Sequence, residues 1–215
     1  MKKKELCISL GFLAAFGLWT LTLCLVDVRG IGPQGSAVGL AAMNQFVHEI
    51  TGVNWTLYAI TDWLGLVPLA IVAGFGLLGL AQWIHRKSLR NVDRSILVLG
   101  GFYLAVLATF VFFENVIVNF RPVLIEGILE ASYPSSTTLL ALCVVPTAMT
   151  ELRRRMDNRP LRRIILAAMA GFTAFMVIGR LLSGVHWFSD IIGGGLLSAG
   201  LTGMYTALSN RSATR

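Results

Sequence analysis

Charge is scarce in this chain. Only 13% of its 215 residues are Asp, Glu, Lys or Arg, while 55% are hydrophobic. A soluble domain is about one quarter charged, so a water-soluble globular fold is excluded. Cysteine is scarce as well. Cys7, Cys24 and Cys143 form an odd set scattered through or near apolar runs, which excludes a disulfide framework and a thiolate metal site. They read as small buried hydrophobes. Histidines number 3 and acidic residues 11, against 18 lysines and arginines.

Apolar runs of about twenty residues, the length that crosses a bilayer as helix, are abundant. Mean hydropathy is +0.72. The runs predict an all-α polytopic membrane protein, a single domain over residues 1–215 with six transmembrane helices in a bundle. The predicted spans are 6–26, 55–84, 96–118, 135–150, 164–182 and 188–208. The first has a basic start but too long an apolar stretch for a signal peptide, and is expected to remain as an anchor.

All but three of the 18 basic residues fall on one side of this layout. They are Lys2, Lys3 and Lys4; Arg86, Lys87, Arg90 and Arg94; the six arginines between 153 and 163; and Arg211 and Arg215. The positive-inside rule makes that side, with both termini, cytoplasmic. The net charge of +7 then reads as topology and contact with anionic membrane lipids, with no nucleic-acid partner implied.

The three exceptions are Arg29, Arg121 and Arg180. Arg29 sits in a glycine-rich loop. Arg121 and Arg180 lie at the outer ends of spans, against the charge bias, which invites a functional reading. Arg180 opens the stretch "RLLSGVHWFSD", in which His186 and Asp190 are four apart. On a shared helix they would touch, and a carboxylate beside an imidazole fixes its tautomer and orientation. In "YPSSTT", Pro134 suits a helix start, and Ser135 or Ser136 can cap it. The free N–H groups of that helix would point outward as an anion site. Taken singly, a span-end arginine snorkels, an interfacial histidine is a polar tip, and a serine pair is ordinary capping. Together on one face, they suit a phosphate group.

These residues resemble the motifs of the type-2 phosphatidic acid phosphatase superfamily. Its third motif is Ser-Arg, five residues, His, three residues, Asp; here Gly179-Arg180 leads to His186 and Asp190. Its second is Pro-Ser-Gly-His; here Pro134-Ser135-Ser136-Thr137. Its first is Lys, six residues, Arg-Pro; here Glu114 precedes Arg121-Pro122. The resemblance implies a metal-independent lipid phosphate or diphosphate phosphatase without cofactors. His186 would form a phosphohistidine, Asp190 would orient it, and Arg121, Arg180, Ser135 and the adjacent Ser136 would hold the phosphate oxygens. Thr137 stands where the family has its general acid, and Glu114 where it has a phosphate-binding lysine. Glu114 is expected to turn away, to pair with Arg121 or Arg180, or to rest in water at the interface.

A lost general acid costs about 10²–10⁴ in rate, least when the leaving group is stable as an anion. The expected substrate is therefore a lipid diphosphate such as undecaprenyl diphosphate, hydrolysed at the outer face of a bacterial cell membrane to recycle the cell-wall lipid carrier. Glu126, Glu130 and Tyr133 are candidate replacement acids. The alternatives are a non-catalytic relative that binds or moves a phosphorylated lipid, and a lipid-linked phosphotransferase. Residues 37–56 look amphipathic and are expected on the outer surface, packing over the bundle or guiding lipid tails. Asp62 either faces the site or reaches water.

Overall fold

The computed structural model describes residues 2–212. Eight α-helices organise them: α1 (Lys2–Leu25), α2 (Ala41–Thr51), α3 (Trp55–Leu64), α4 (Leu66–Arg86), α5 (Arg94–Asn115), α6 (Ser136–Arg155), α7 (Arg159–Leu182) and α8 (Phe188–Ser212). Among the described residues, extended pairing is limited to isolated bridges, one of which joins Phe120 to Ala131. Arg215 and the side chain of Arg211 lie outside the described part.

Five stretches are long and apolar enough to cross a membrane: Lys3–Leu25, Trp55–Arg86, Arg94–Asn115, Arg159–Leu182 and Phe188–Ser209. The chain is a multi-pass membrane protein. The predicted fourth span is a helix, α6, but it is not among those five. The reason is its position. α6 packs against α4, α5, α7 and α8, and a helix sheathed by protein needs no lipid-facing apolar surface. Leu139, Cys143 and Val144 of α6 form the core with Leu99, Phe102, Tyr103 and Val106 of α5 and Leu197 and Tyr205 of α8. α1 lies along α8.

The predicted second span is two helices. Pro68 lacks the N–H that would bond the Leu64 carbonyl, and the chain turns at Gly65, whose N–H bonds the Thr61 and Asp62 carbonyls. The break sends α3 against α7 and α4 against α5 and α6. The predicted third span is also shorter than expected, because α5 ends at Asn115. Residues 116–121 form a loop, held by the bond from Arg121 N–H to the Glu130 carbonyl at 3.0 Å.

The bundle has two polar ends. At one, Asp93 accepts from Gln82 at 2.8 Å, Arg86 at 2.9 Å and Arg155 at 3.1 Å. These bonds, Gln82 first, hold its carboxyl below the usual range. Glu151, fully buried, pairs with Arg154 at 2.9 Å and accepts from the Tyr205 hydroxyl at 3.0 Å. The other end gathers the C-termini of α5 and α7 and the N-termini of α6 and α8. Helix α2 lies there, anchored by buried Asn44, while its Phe46 and Ile50 face away from the bundle.

Candidate active site

His186 lies in the turn between α7 and α8. Gly184 makes that turn: its φ is +67°, and a Cβ there would overlap the Gly52 carbonyl. His186 therefore stands two residues ahead of α8, whereas Asp190 lies in its first turn. The two do not share a helix, yet their side chains still meet, Nδ1 facing Asp190 Oδ2 at 3.7 Å. Asp190 Oδ2 accepts from Trp187 N–H at 3.0 Å, the reach-back of a capping box. That bond ties the carboxylate to the residue next to the histidine.

Nε2 of His186 sits between two guanidiniums, Arg121 Nη1 at 3.2 Å and Arg180 Nη2 at 3.4 Å. Arginine only donates, so Nε2 accepts and the ring proton rests on Nδ1, toward Asp190. Burial, then Arg121 and Arg180, hold the imidazole well below its usual range. The ring is neutral, its lone pair aimed into a space bounded by two cations.

Each arginine has a carboxylate behind it. Arg121 Nε pairs with Glu130 at 3.0 Å. Arg180, only 1% exposed, lies 3.6 Å from Asp62 and 3.4 Å from the Thr61 hydroxyl, with its guanidinium 5.1 Å from the Tyr58 ring centre. Asp62 thus faces the site, on the short helix created by the Gly65 break.

Ser135 caps α6 by accepting from Thr138 N–H at 3.5 Å, and its own N–H bonds the Asp190 carbonyl at 3.2 Å. It is fully buried. Ser136 lines the cleft that reaches His186, together with Glu114, Ser132, Phe110, Phe113 and Leu139. Thr137 is buried in the first turn of α6. Glu114 is exposed and forms no ion pair with Arg121 or Arg180, whose carboxylate partners are Glu130 and Asp62. Among the described residues, no group of three or more histidine, cysteine or carboxylate side chains is placed to hold a metal ion.

Two asparagines escape sequence reasoning. Asn119 is buried and donates to Asp190 Oδ1 at 3.3 Å and to the Ser189 hydroxyl at 3.4 Å, while its carbonyl accepts from Gly39 N–H at 3.3 Å. Asn44 donates to the Ser189 hydroxyl at 2.9 Å and accepts from Ser189 N–H at 3.0 Å. The available signal for Asn119 is a lone amide in the apolar run "VIVNF", two residues before Arg121.

The family model of the PAP2 superfamily matches residues 112–213, a stretch that contains every motif position from Glu114 to Asp190. The fold matches the crystal structure of a transmembrane PAP2-type phosphatidylglycerolphosphate phosphatase from Bacillus subtilis. That match has a TM-score of 0.56 at 16% identity and covers 94% of this chain and 96% of the other. No curated protein matches. Over residues 112–213, just under half of its length, the chain is similar to the PAP2 superfamily.

Proposed function

We propose that the protein is a lipid phosphatase acting through a phosphohistidine on His186. The observation that carries this reading is His186 Nε2, flanked by Arg121 at 3.2 Å and Arg180 at 3.4 Å, on a ring backed by Asp190 at 3.7 Å. Nε2 attacks phosphorus, and Asp190 steadies the Nδ1 proton and the charge that develops on the ring. The arginines neutralise the phosphoryl oxygens as the bond to the leaving group lengthens. Water then cleaves the P–N bond. Ser136 at the cleft supplies a further donor, while Ser135 holds the N-terminus of α6 in place.

Six crossings, the five apolar stretches plus α6, put both termini and the arginine-rich end in the cytoplasm and the site at the outer face. The cleft is polar at His186, Ser136 and Glu114 and apolar at Phe110, Phe113 and Leu139, which suits a phosphate headgroup with a tail. Thr137 in the general-acid position favours a weakly basic leaving group, so a polyprenyl diphosphate such as undecaprenyl diphosphate is the proposed substrate.

Phosphate release from a panel of lipid monophosphates and diphosphates in liposomes tests this. His186→Ala should abolish release and the acid-labile phosphoenzyme. A second reading, a non-catalytic phospholipid binder, is favoured by the changes at Glu114 and Thr137; it predicts no release by the wild type on any lipid of the panel.

A further inference from the structure

Hydrolysis through a phosphohistidine needs a group that gives a proton to the leaving oxygen and takes one from water. Thr137 cannot serve at neutral pH, and the structure removes the other candidates. Glu130 is engaged by Arg121 at 3.0 Å. The Tyr133 hydroxyl is bound to Thr20 at 2.7 Å, and burial pushes this phenol upward, which makes it a poorer acid. Glu126 lies at an exposed turn away from the cleft.

Glu114 is different. It lies in the last turn of α5 and lines the cleft together with His186 and Ser136. The two arginines of the site have other carboxylates as partners, so neither withholds Glu114 from proton exchange.

We propose that Glu114 is the proton-transfer residue of the site, standing in for the histidine absent at position 137. In the first step the P–Nε2 bond forms as the P–O bond to the lipid breaks, and the Glu114 proton goes to the leaving oxygen. In the second, water attacks phosphorus, its proton returns to Glu114, and the P–Nε2 bond breaks. The net change is lipid phosphate plus water to lipid alcohol plus phosphate. The two departures from the family motifs then form one compensated exchange, acid lost at 137 and gained at 114. This rests on the phosphatase reading and extends its substrates from diphosphates to phosphomonoesters.

The test compares wild type, Glu114→Gln and Glu114→Lys on the monophosphate and the diphosphate of the same polyprenol, with His186→Ala as control. Glu114→Gln should lower kcat by about 10²–10⁴ on the monophosphate. On the diphosphate, whose leaving group is the weaker base, it should lose less than about tenfold. Glu114→Lys should lower KM on both lipids yet leave monophosphate kcat as low as the glutamine variant does. Equal losses on both lipids, or none, would overturn the assignment while leaving the phosphatase reading intact. Turnover surviving in His186→Ala, or absent from wild type, would instead overturn the phosphatase reading. Glu114 is exposed, and folding of its variants is checked by their thermal transition.

Discussion

Asn119→Ala isolates the orientation of the His186–Asp190 pair from phosphate binding. The amide stands behind the pair and outside the proposed phosphate clamp of Arg121 and Arg180. Its donors go to Asp190 Oδ1 at 3.3 Å and Ser189 at 3.4 Å, and its carbonyl takes Gly39 N–H at 3.3 Å. A hydrogen bond to a charged group contributes about 1.5–3 kcal/mol, and these lengths point to the lower end. If about 1.4 kcal/mol of that acts on the carboxylate that steadies the histidine, kcat falls about tenfold. KM should stay within about twofold, because an interaction lost only in the transition state leaves ground-state binding alone. Leaving Gly39 N–H without its partner costs about 1–3 kcal/mol of stability in addition, seen as a lower thermal midpoint. Asn119→Asp, which sets a second carboxyl against Asp190, should lose more activity than alanine does. Steady-state phosphate release on the best lipid substrate reads both variants. A folded Asn119→Ala protein with wild-type kcat, or with KM raised and kcat unchanged, would show that the amide does not act through Asp190.

Further outcomes concern pH and backbone. His186 is held below its usual range, so its neutral form, the proposed nucleophile, persists under mildly acidic conditions; the acid limb of kcat/KM should fall below about pH 6.5, the ordinary histidine value. The same depression makes the unfolded chain bind the proton first. Stability contributed by this group is therefore full above about pH 6.5 and lost as pH falls from there toward the folded value, which thermal melts between these limits would register. Asp93, held down by Gln82, Arg86 and Arg155, contributes stability that is present above its unfolded value and lost as pH falls through its lower folded one. Asp93→Asn should cost about 0.2–1 kcal/mol, the scale of a solvent-reached ion pair, and lower the melting temperature without changing KM. Gly184→Ala strains a positive-φ residue by about 1–3 kcal/mol and also drives a methyl group into the Gly52 carbonyl. Expression and activity should fall together there.

Much of the bundle was legible because bilayer crossing imposes a length and a polarity on each segment. The Arg180, His186 and Asp190 spacing was legible because it is local: five and three intervening residues suffice to bring them to one turn. The contacts that hold them are not local. Arg180 meets Thr61 across 119 positions, Asn44 meets Ser189 across 145 and Asn119 meets Asp190 across 71, and no spacing rule relates such pairs. The Gly65 break is hidden because Pro68 sits inside an otherwise uninterrupted apolar run. It matters because the short helix it creates carries Tyr58, Thr61 and Asp62 to Arg180. Helix α6 was readable from its serine cap, but its amino acids look polar for a span because protein, not lipid, surrounds them.

That last point bears on how the chain reaches the membrane. In the proposed six-span topology, α6 carries Thr137, Thr138, Thr147 and Glu151 buried within the protein. Encountered alone by the insertion machinery, such a segment gains little from entering hydrocarbon, and Glu151 opposes it. Its partners along the chain, α5 before it and α7 and α8 after it, supply both the apolar bulk and the groups that satisfy its polar side chains. Biogenesis of this fold is then a collective step: α6 waits at the edge of the bilayer until its neighbours have been synthesised. Truncation after residue 155 should therefore leave α6 outside the hydrocarbon.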